Sequence, residues 1–188
     1  KRTYEALEKL IVETGHELEY LQSVQAFIDM TLDENALAQV KEELMISGYI
    51  KGRYGKKGDK HTNKSKPYHY ISSDGFHMYV GKNNYQNDEL TFKFATGNDW
   101  WFHAKGIPGS HVVVKTEGKE LPDRTFEEAG RLAAYYSKGR EQEKVEIDYV
   151  QKKQVKKPAG AKPGFVVYYT NYSLMIDSDI SGIEKLSD

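Results

Sequence analysis

The sequence predicts an α+β fold: a mainly antiparallel sheet with one internal helix, preceded by an N-terminal helical segment. Three observations carry this. Apolar residues recur at alternating steps of three and four in the first 50 positions, a period of two takes over from Tyr68, and one helical pattern interrupts the strands near residue 125. The 188 residues give room for one ordinary domain and an appendage.

In the first segment Tyr4, Leu7, Ile11, Leu18, Leu21 and Ile28 form a seam, with Thr14 and Gln25 in its remaining positions. That spacing predicts a long amphipathic helix, either the end of a coiled coil or a helix packed on the domain. A second helix is expected from a cap at Asp33 through Ala36, Leu37, Val40 and Leu44, stopped by Gly48. Residues 51–66 have no apolar periodicity and read as a mobile basic loop. Strands are expected at 68–72 and 76–80, joined by a Ser73-Asp74-Gly75 turn. Others are expected at 90–95, 100–104, 111–115, 145–150, 165–170 and 173–177. Thr125-Phe126-Glu127-Glu128 reads as a capping box opening the internal helix, with Ala129, Leu132, Ala133 and Tyr136 buried and Gly139 as its end. The expected organisation is a helical segment at 1–50, the basic loop at 51–66 and a sheet domain at 67–188.

The net charge of −1 hides an uneven distribution. Residues 1–50 carry 10 acidic and 4 basic side chains, whereas residues 51–66 carry 7 basic and 1 acidic. A second basic stretch holds Lys152, Lys153, Lys156, Lys157 and Lys162 with no acid between them. Local positive charge of this kind suits a phosphate backbone. The absence of cysteine excludes disulfides and thiolate metal sites, and fits a reducing cytoplasm. No apolar run approaches a membrane span. The chain opens on Lys1-Arg2 directly in helical pattern, which reads as a piece of a longer protein.

The stretch Asn98-Asp99-Trp100-Trp101-Phe102-His103-Ala104-Lys105-Gly106-Ile107-Pro108-Gly109-Ser110-His111 mixes aromatic rings with polar groups. A core needs the rings but not the polar groups between them, so the mixture suggests a recognition surface. In a strand, Asp99, Trp101 and His103 share one side and Trp100, Phe102 and Ala104 the other. The first set is assigned to an outer site and Trp100 and Phe102 to the core; the opposite assignment remains open. The Gly106–Gly109 turn should return Ser110 and His111 to the same place, and amides at Gly109 could form an anion-binding nest.

Three chemistries compete here. A Ser-His-Asp nucleophile would use Ser110, His103 or His111, and Asp99, but no Gly-x-Ser-x-Gly elbow surrounds Ser110. A metal site from Asp99, His103 and His111 has suitable ligand types without a recognised spacing. RNA recognition needs stackable rings, imidazole donors and nearby cations, and all are present. A plainer alternative is a hydrogen-bonded histidine pair that braces a turn. The amide-rich run Asn83 to Asp88 could read base edges through Asn84, although such residues usually satisfy local backbone. The Pro-stiffened loop with Lys156, Lys157 and Lys162 is a candidate phosphate contact, as is the arm containing Arg53, Lys56 and Lys57. Lys105 completes the candidate set. No metal and no small-molecule cofactor is expected, and no catalytic residue is assigned.

These residues resemble the NFACT-R domain of the NFACT family, also called fibronectin-binding-like proteins. The similarity rests on Gly81-Lys82-Asn83-Asn84 with Asn87-Asp88 and Leu90-Thr91, then Asp99-x-Trp101-Phe102-His103-x-Lys105-x-x-Pro108-Gly109-Ser110-His111. It continues through Glu128-Ala129, Leu132 to Ser137, Val145-x-Ile147-Asp148-Tyr149, and Val155-Lys156-Lys157-Pro158-x-Gly160-Ala161-x-Pro163-Gly164. It covers roughly residues 68–180, with 1–50 resembling the helical segment that precedes this domain. The resemblance implies a non-enzymatic RNA-binding module of a cytoplasmic ribosome-associated quality-control factor, of bacterial type. Its implied partners are tRNA and the large ribosomal subunit with its RNA, and its implied role is support of C-terminal alanine tailing of stalled chains. The rival reading is a fibronectin-binding surface adhesin.

Overall fold

The computed structural model describes residues 2–31, 34–51 and 65–187. Two helices come first, α1 (Arg2–Met30) and α2 (Glu34–Ile46). Seven strands follow: β1 (Tyr68–Ile71), β2 (His77–Val80), β3 (Trp100–Ala104), β4 (Val112–Val114), β5 (Val145–Gln151), β6 (Tyr172–Ile176) and β7 (Glu184–Lys185). They form one sheet in the order β6-β5-β3-β4-β2-β1-β7, with every pairing antiparallel. A short helix α3 (Asn84–Glu89) continues into a π-helical turn over Leu90–Phe94, and α4 (Asp123–Tyr135) is the internal helix. The expected α+β class with its antiparallel sheet is therefore what the chain adopts.

The central strands of the sheet are covered on both sides, and this decides the fate of the central motif. Phe102, Ala104, Val112 and Val114 face Ala129, Leu132 and Ala133 of α4. On the other side Trp101, Val113 and Val150 are buried with Leu90 of the π-turn and Val155. A strand buried on both faces has no displayed side.

The π-turn stands where the sequence predicted a strand at 90–95. Asn83 caps α3, its side chain accepting from the Gln86 amide at 2.8 Å, and Ala95 N–H closes the turn on the Leu90 carbonyl at 2.8 Å. A short apolar run cannot by its period distinguish a strand from a helix, and here the upstream cap decides. The strand expected at 165–170 reduces to one bridge between Lys156 and Val167, because Thr170 takes a φ of 56° and Phe165 packs beside His16. The two-residue β7 was not expected.

The capping-box expectation at Thr125 is also corrected, since α4 begins at Asp123 after Pro122. Thr125 Oγ1 instead donates to Asp74 at 2.9 Å, while Glu128 accepts from the Ser73 amide at 2.8 Å and from its hydroxyl. Both side chains lash the β1–β2 turn to the helix. The helix ends at Tyr135 rather than Gly139, which lies in close approach to Ile107 and Val145.

The seam read on α1 is exposed along this chain, with Ile11 at 70% and Tyr4 at 66%. A different face, Tyr20, Val24 and Phe27, packs on Val40 of α2. Gly48, at φ 80°, follows α2 as expected; Asp33 lies outside the described residues, as does most of the 51–66 loop.

Candidate nucleic-acid interface

Gly106 takes a φ of 66°, a conformation glycine tolerates, and the turn returns the chain antiparallel to β3. His111 then meets Trp101 edge-on at 5.0 Å and His103 at 5.4 Å, so the sequence reading brought the right rings together. The floor of a cleft of about 690 Å³ is formed by His103, His111, Asn84, Asn87 and Tyr168. Its walls are α1 from Glu13 to Ser23, the 106–109 turn and the 158–166 loop with Lys162.

Most polar groups of the motif are spent on holding this architecture. Asn84, Asp99, Trp101, Ser110 and His111 are buried, which corrects the expectation that Asp99 and Trp101 belong to an outer site. Asp99 accepts from the Thr96 amide at 2.7 Å, the Thr116 amide at 3.0 Å and the Lys115 ammonium. Burial raises its pKa, but these donors outweigh that and hold the carboxyl below the ordinary value. Ser110 Oγ donates to the Gly81 carbonyl at 2.6 Å. The Ser110 amide donates to the Tyr136 carbonyl and the His111 amide to Asn87 Oδ1, so the two amides that follow Gly109 are already engaged. Asn84 donates to Glu43 and Ser23, each at 2.9 Å, and ties α1 and α2 to α3.

The basic residues divide. Lys157 donates to both Asp88 oxygens at 2.9 and 3.0 Å and to the Lys162 carbonyl at 2.5 Å, so it stiffens its loop. The Lys162 ammonium lies over the Tyr20 and Tyr49 rings at 5.2 and 5.3 Å, clasping the loop to the helical pair. Lys105 is exposed and paired with Glu146 at 2.6 Å. Lys156 is exposed and forms no ion pair among the described residues. Arg53, Lys56 and Lys57 lie outside the described residues. Sequence reasoning missed Lys115, Asp148 and Asp88. Asp148 is buried and accepts from the Tyr168 hydroxyl at 2.8 Å and the Ser173 hydroxyl at 2.5 Å. Only its place in the Val145-x-Ile147-Asp148-Tyr149 motif pointed to it.

The cleft is not a phosphate trap. Glu13, Glu17 and Glu19 line the α1 wall, and one ammonium, Lys162, stands opposite. Burial holds His103 down to about 4, against the backbone of Gly109 and the Asp148 carboxylate. Burial and His103 likewise hold His111 well below its ordinary range. Both rings are neutral at pH 7 and supply dipoles rather than charge. Among the described residues no group of three or more His, Cys, Asp or Glu side chains is placed to hold a metal ion.

The histidine shifts set a pH dependence. A folded pKa below the unfolded one means that the unfolded chain binds more protons in the interval. Stability is full above pH 6.5 and is lost as the pH falls towards 4. A series of thermal melts should show Tm falling through that window, with a shallower fall for His103→Gln. A parent profile flat from 6.5 to 4 would contradict the neutral-pair assignment.

A family model described as the NFACT protein RNA binding domain matches residues 66–170, and one described as NFACT N-terminal and middle domains matches residues 1–63. The Rqc2 homolog RqcH of Streptococcus suis is 43% identical over 94% of this chain and 31% of its own length. That of Bacillus subtilis is 35% identical over 99% of this chain and 32% of its own. The chain thus spans about a third of these relatives. A solved structure of the C-terminal part of the fibronectin/fibrinogen-binding protein from Streptococcus suis superposes with a TM-score of 0.90 at 39% identity, covering 98% of this chain and 74% of that one. The motif residues that build the cleft floor all lie within 66–170, and the chain belongs to the NFACT family, whose RNA-binding domain it carries there.

Proposed function

We propose that this chain is the non-enzymatic RNA-contacting part of a cytoplasmic ribosome-associated quality-control factor. In this reading it binds tRNA on stalled large ribosomal subunits and supports C-terminal alanine tailing of the nascent chain. The observation that carries it is Lys156, exposed and without an ion pair among the described residues, beside a loop that Lys157 and Lys162 hold rigid against the helical pair. A stiff loop presents a cation to phosphate at little ordering cost. The bonds at Ser110 and Asp99 support the non-enzymatic role: each oxygen is engaged in holding backbone rather than in reach of a shared substrate position. Among the described residues no helix is long and apolar enough to cross a membrane.

Fluorescence anisotropy of this chain with tRNA, from about 50 to 200 mM salt, tests the reading. Lys156→Glu should weaken tRNA and an unstructured RNA alike and reduce the salt slope by about 0.9 per lost phosphate contact on paired regions and about 0.7 on the single strand. A slope unchanged by Lys156→Glu would remove this contact. Turnover in the presence of an added metal, abolished by His103→Ala, would overturn the non-enzymatic role. The adhesin reading is favoured only by what the Streptococcus suis relative is called. Fibronectin binding that survives nuclease and high salt would support it, whereas loss under either treatment marks bridging by nucleic acid.

A further inference from the structure

The acidic wall of the cleft leaves open where unpaired bases would be held, and another surface meets that need. On the side of the sheet away from α4, β1 and β2 carry His69, His77 and Tyr79, all half-buried. His69 stacks on Tyr79 at 4.3 Å with 13° between the planes, and its Nε2 lies 2.8 Å from His77 Nδ1. Tyr79 meets Phe94 edge-on at 4.7 Å. Phe94 sits at the end of the π-turn and is 42% exposed, so this row of rings finishes at a phenyl group open to solvent.

Cations border the same row. The Lys115 ammonium lies over the Phe94 ring at 5.0 Å and Lys152 over the Phe92 ring at 5.7 Å. Lys153 is exposed, and its amide is held by the Gly97 carbonyl at 3.0 Å, just beyond the π-turn. Neither Lys152 nor Lys153 forms an ion pair among the described residues. The opposing acids are Glu89, paired with Lys93 at 3.4 Å, Glu117 near Tyr79, and Asp99, which is buried and satisfied. Glu184 of β7, opposite Ile71, borders the far end of the row, and Lys152 and Lys153 are cations at the near end with no ion pair among the described residues.

We propose that this ring row is a stacking platform for unpaired RNA bases, with Lys152 and Lys153 placed for the adjoining phosphates. Rings on a sheet face accept the flat face of any base, and flanking ammonium groups follow the backbone. Burial and the neighbouring His77 lower the His69 pKa, which favours the neutral form of that ring. An acidic peptide would use the lysines but gain nothing from the rings; a single strand uses both. The proposal rests on the RNA-binding reading of the family domain, and not on tRNA or tailing.

The test is binding of this chain to a labelled oligoadenylate and to an RNA duplex of equal length. Phe94→Ala should weaken the single strand by about five- to 150-fold, the range for one base–aromatic stack, and leave the duplex unchanged. Lys152→Glu with Lys153→Glu should weaken both and flatten both salt slopes. Thermal melts report folding; should Phe94→Ala melt early, Phe94→Trp replaces it, and its added indole emission should be quenched by the oligoadenylate. Single-strand binding equal to the parent in Phe94→Ala, or an unquenched indole, overturns the platform while the RNA-binding reading stands. A parent that binds neither RNA at low salt removes both. Displacement of oligoadenylate by polyglutamate, equal in parent and Phe94→Ala, would assign the lysines to a protein partner and also overturn the platform.

Discussion

Asp99→Ala is expected to destabilise the chain by about 3–5 kcal/mol, the range for removing one partner of a buried ion pair. The carboxylate receives the Thr96 and Thr116 amides, the Thr96 hydroxyl and the Lys115 ammonium, and is 1% exposed. Truncation leaves two buried backbone donors without an acceptor and leaves the Lys115 ammonium with only the Phe94 carbonyl at 3.4 Å. Asp99→Asn restores an acceptor but not the charge, so its loss should be smaller. The measurement is denaturant unfolding, read as a lowered midpoint with unchanged m-value. The carboxyl's lowered folded pKa adds a second acid window: its stabilisation holds above 3.8, its ordinary value, and is lost as the pH falls through the folded one. A midpoint within error of the parent for Asp99→Ala would show that the network contributes nothing to stability.

Trp101→Ala should cost a similar amount, about 3–5 kcal/mol, through cavity formation. Its ring is 0% exposed and packs between Val113 and Val150 across the strands, with Leu90 and Val155 above. It also lies 5.1 Å from Tyr168 and 5.7 Å from His103. Its Nε1 has no hydrogen-bond partner among the described residues, so Trp101→Phe removes little polar bonding and should be the milder change. The two variants separate packing from recognition. If Trp101→Phe keeps the fold and loses RNA binding, the residue reads RNA after all; if binding follows stability across both variants, the ring is core.

Much of the fold was legible. Period-two patterning located β3, β5 and β6 to within a residue or two, and Ser73-Asp74-Gly75 marked its hairpin with Gly75 at φ 84°. What failed were features decided by distant partners. Thr125 and Glu128 carry the right spacing for a capping box, but the β1–β2 turn offers them donors and acceptors that a local reading does not contain. Leu90 to Ala95 alternates as a strand would, yet Asn83 had already started a helix. The cleft was half legible. His103 and His111 were grouped correctly because one turn joins them, whereas Asn84 reaches the same cleft from α3, and the 158–166 loop that lines it comes from far along the chain. Charge was the least legible: Lys157 and Lys162 look like free cations until Asp88, Tyr20 and Tyr49 are placed beside them. Phe94 and Tyr79 drew no attention, because alone each is an ordinary hydrophobic residue.

The clasp of Lys162 between Tyr20 and Tyr49, with Asn84 bonded to Ser23 and Glu43, gives α1 a fixed heading. From Tyr20 back to Arg2 the helix extends about 27 Å at 1.5 Å per residue, so a tilt of about 5° at the clasp swings its tip by roughly 2 Å. The helix is a pointer whose aim is set by a handful of side chains at its root. Substitutions there would misdirect whatever the far end touches, leaving the contacts at that end chemically intact but out of reach.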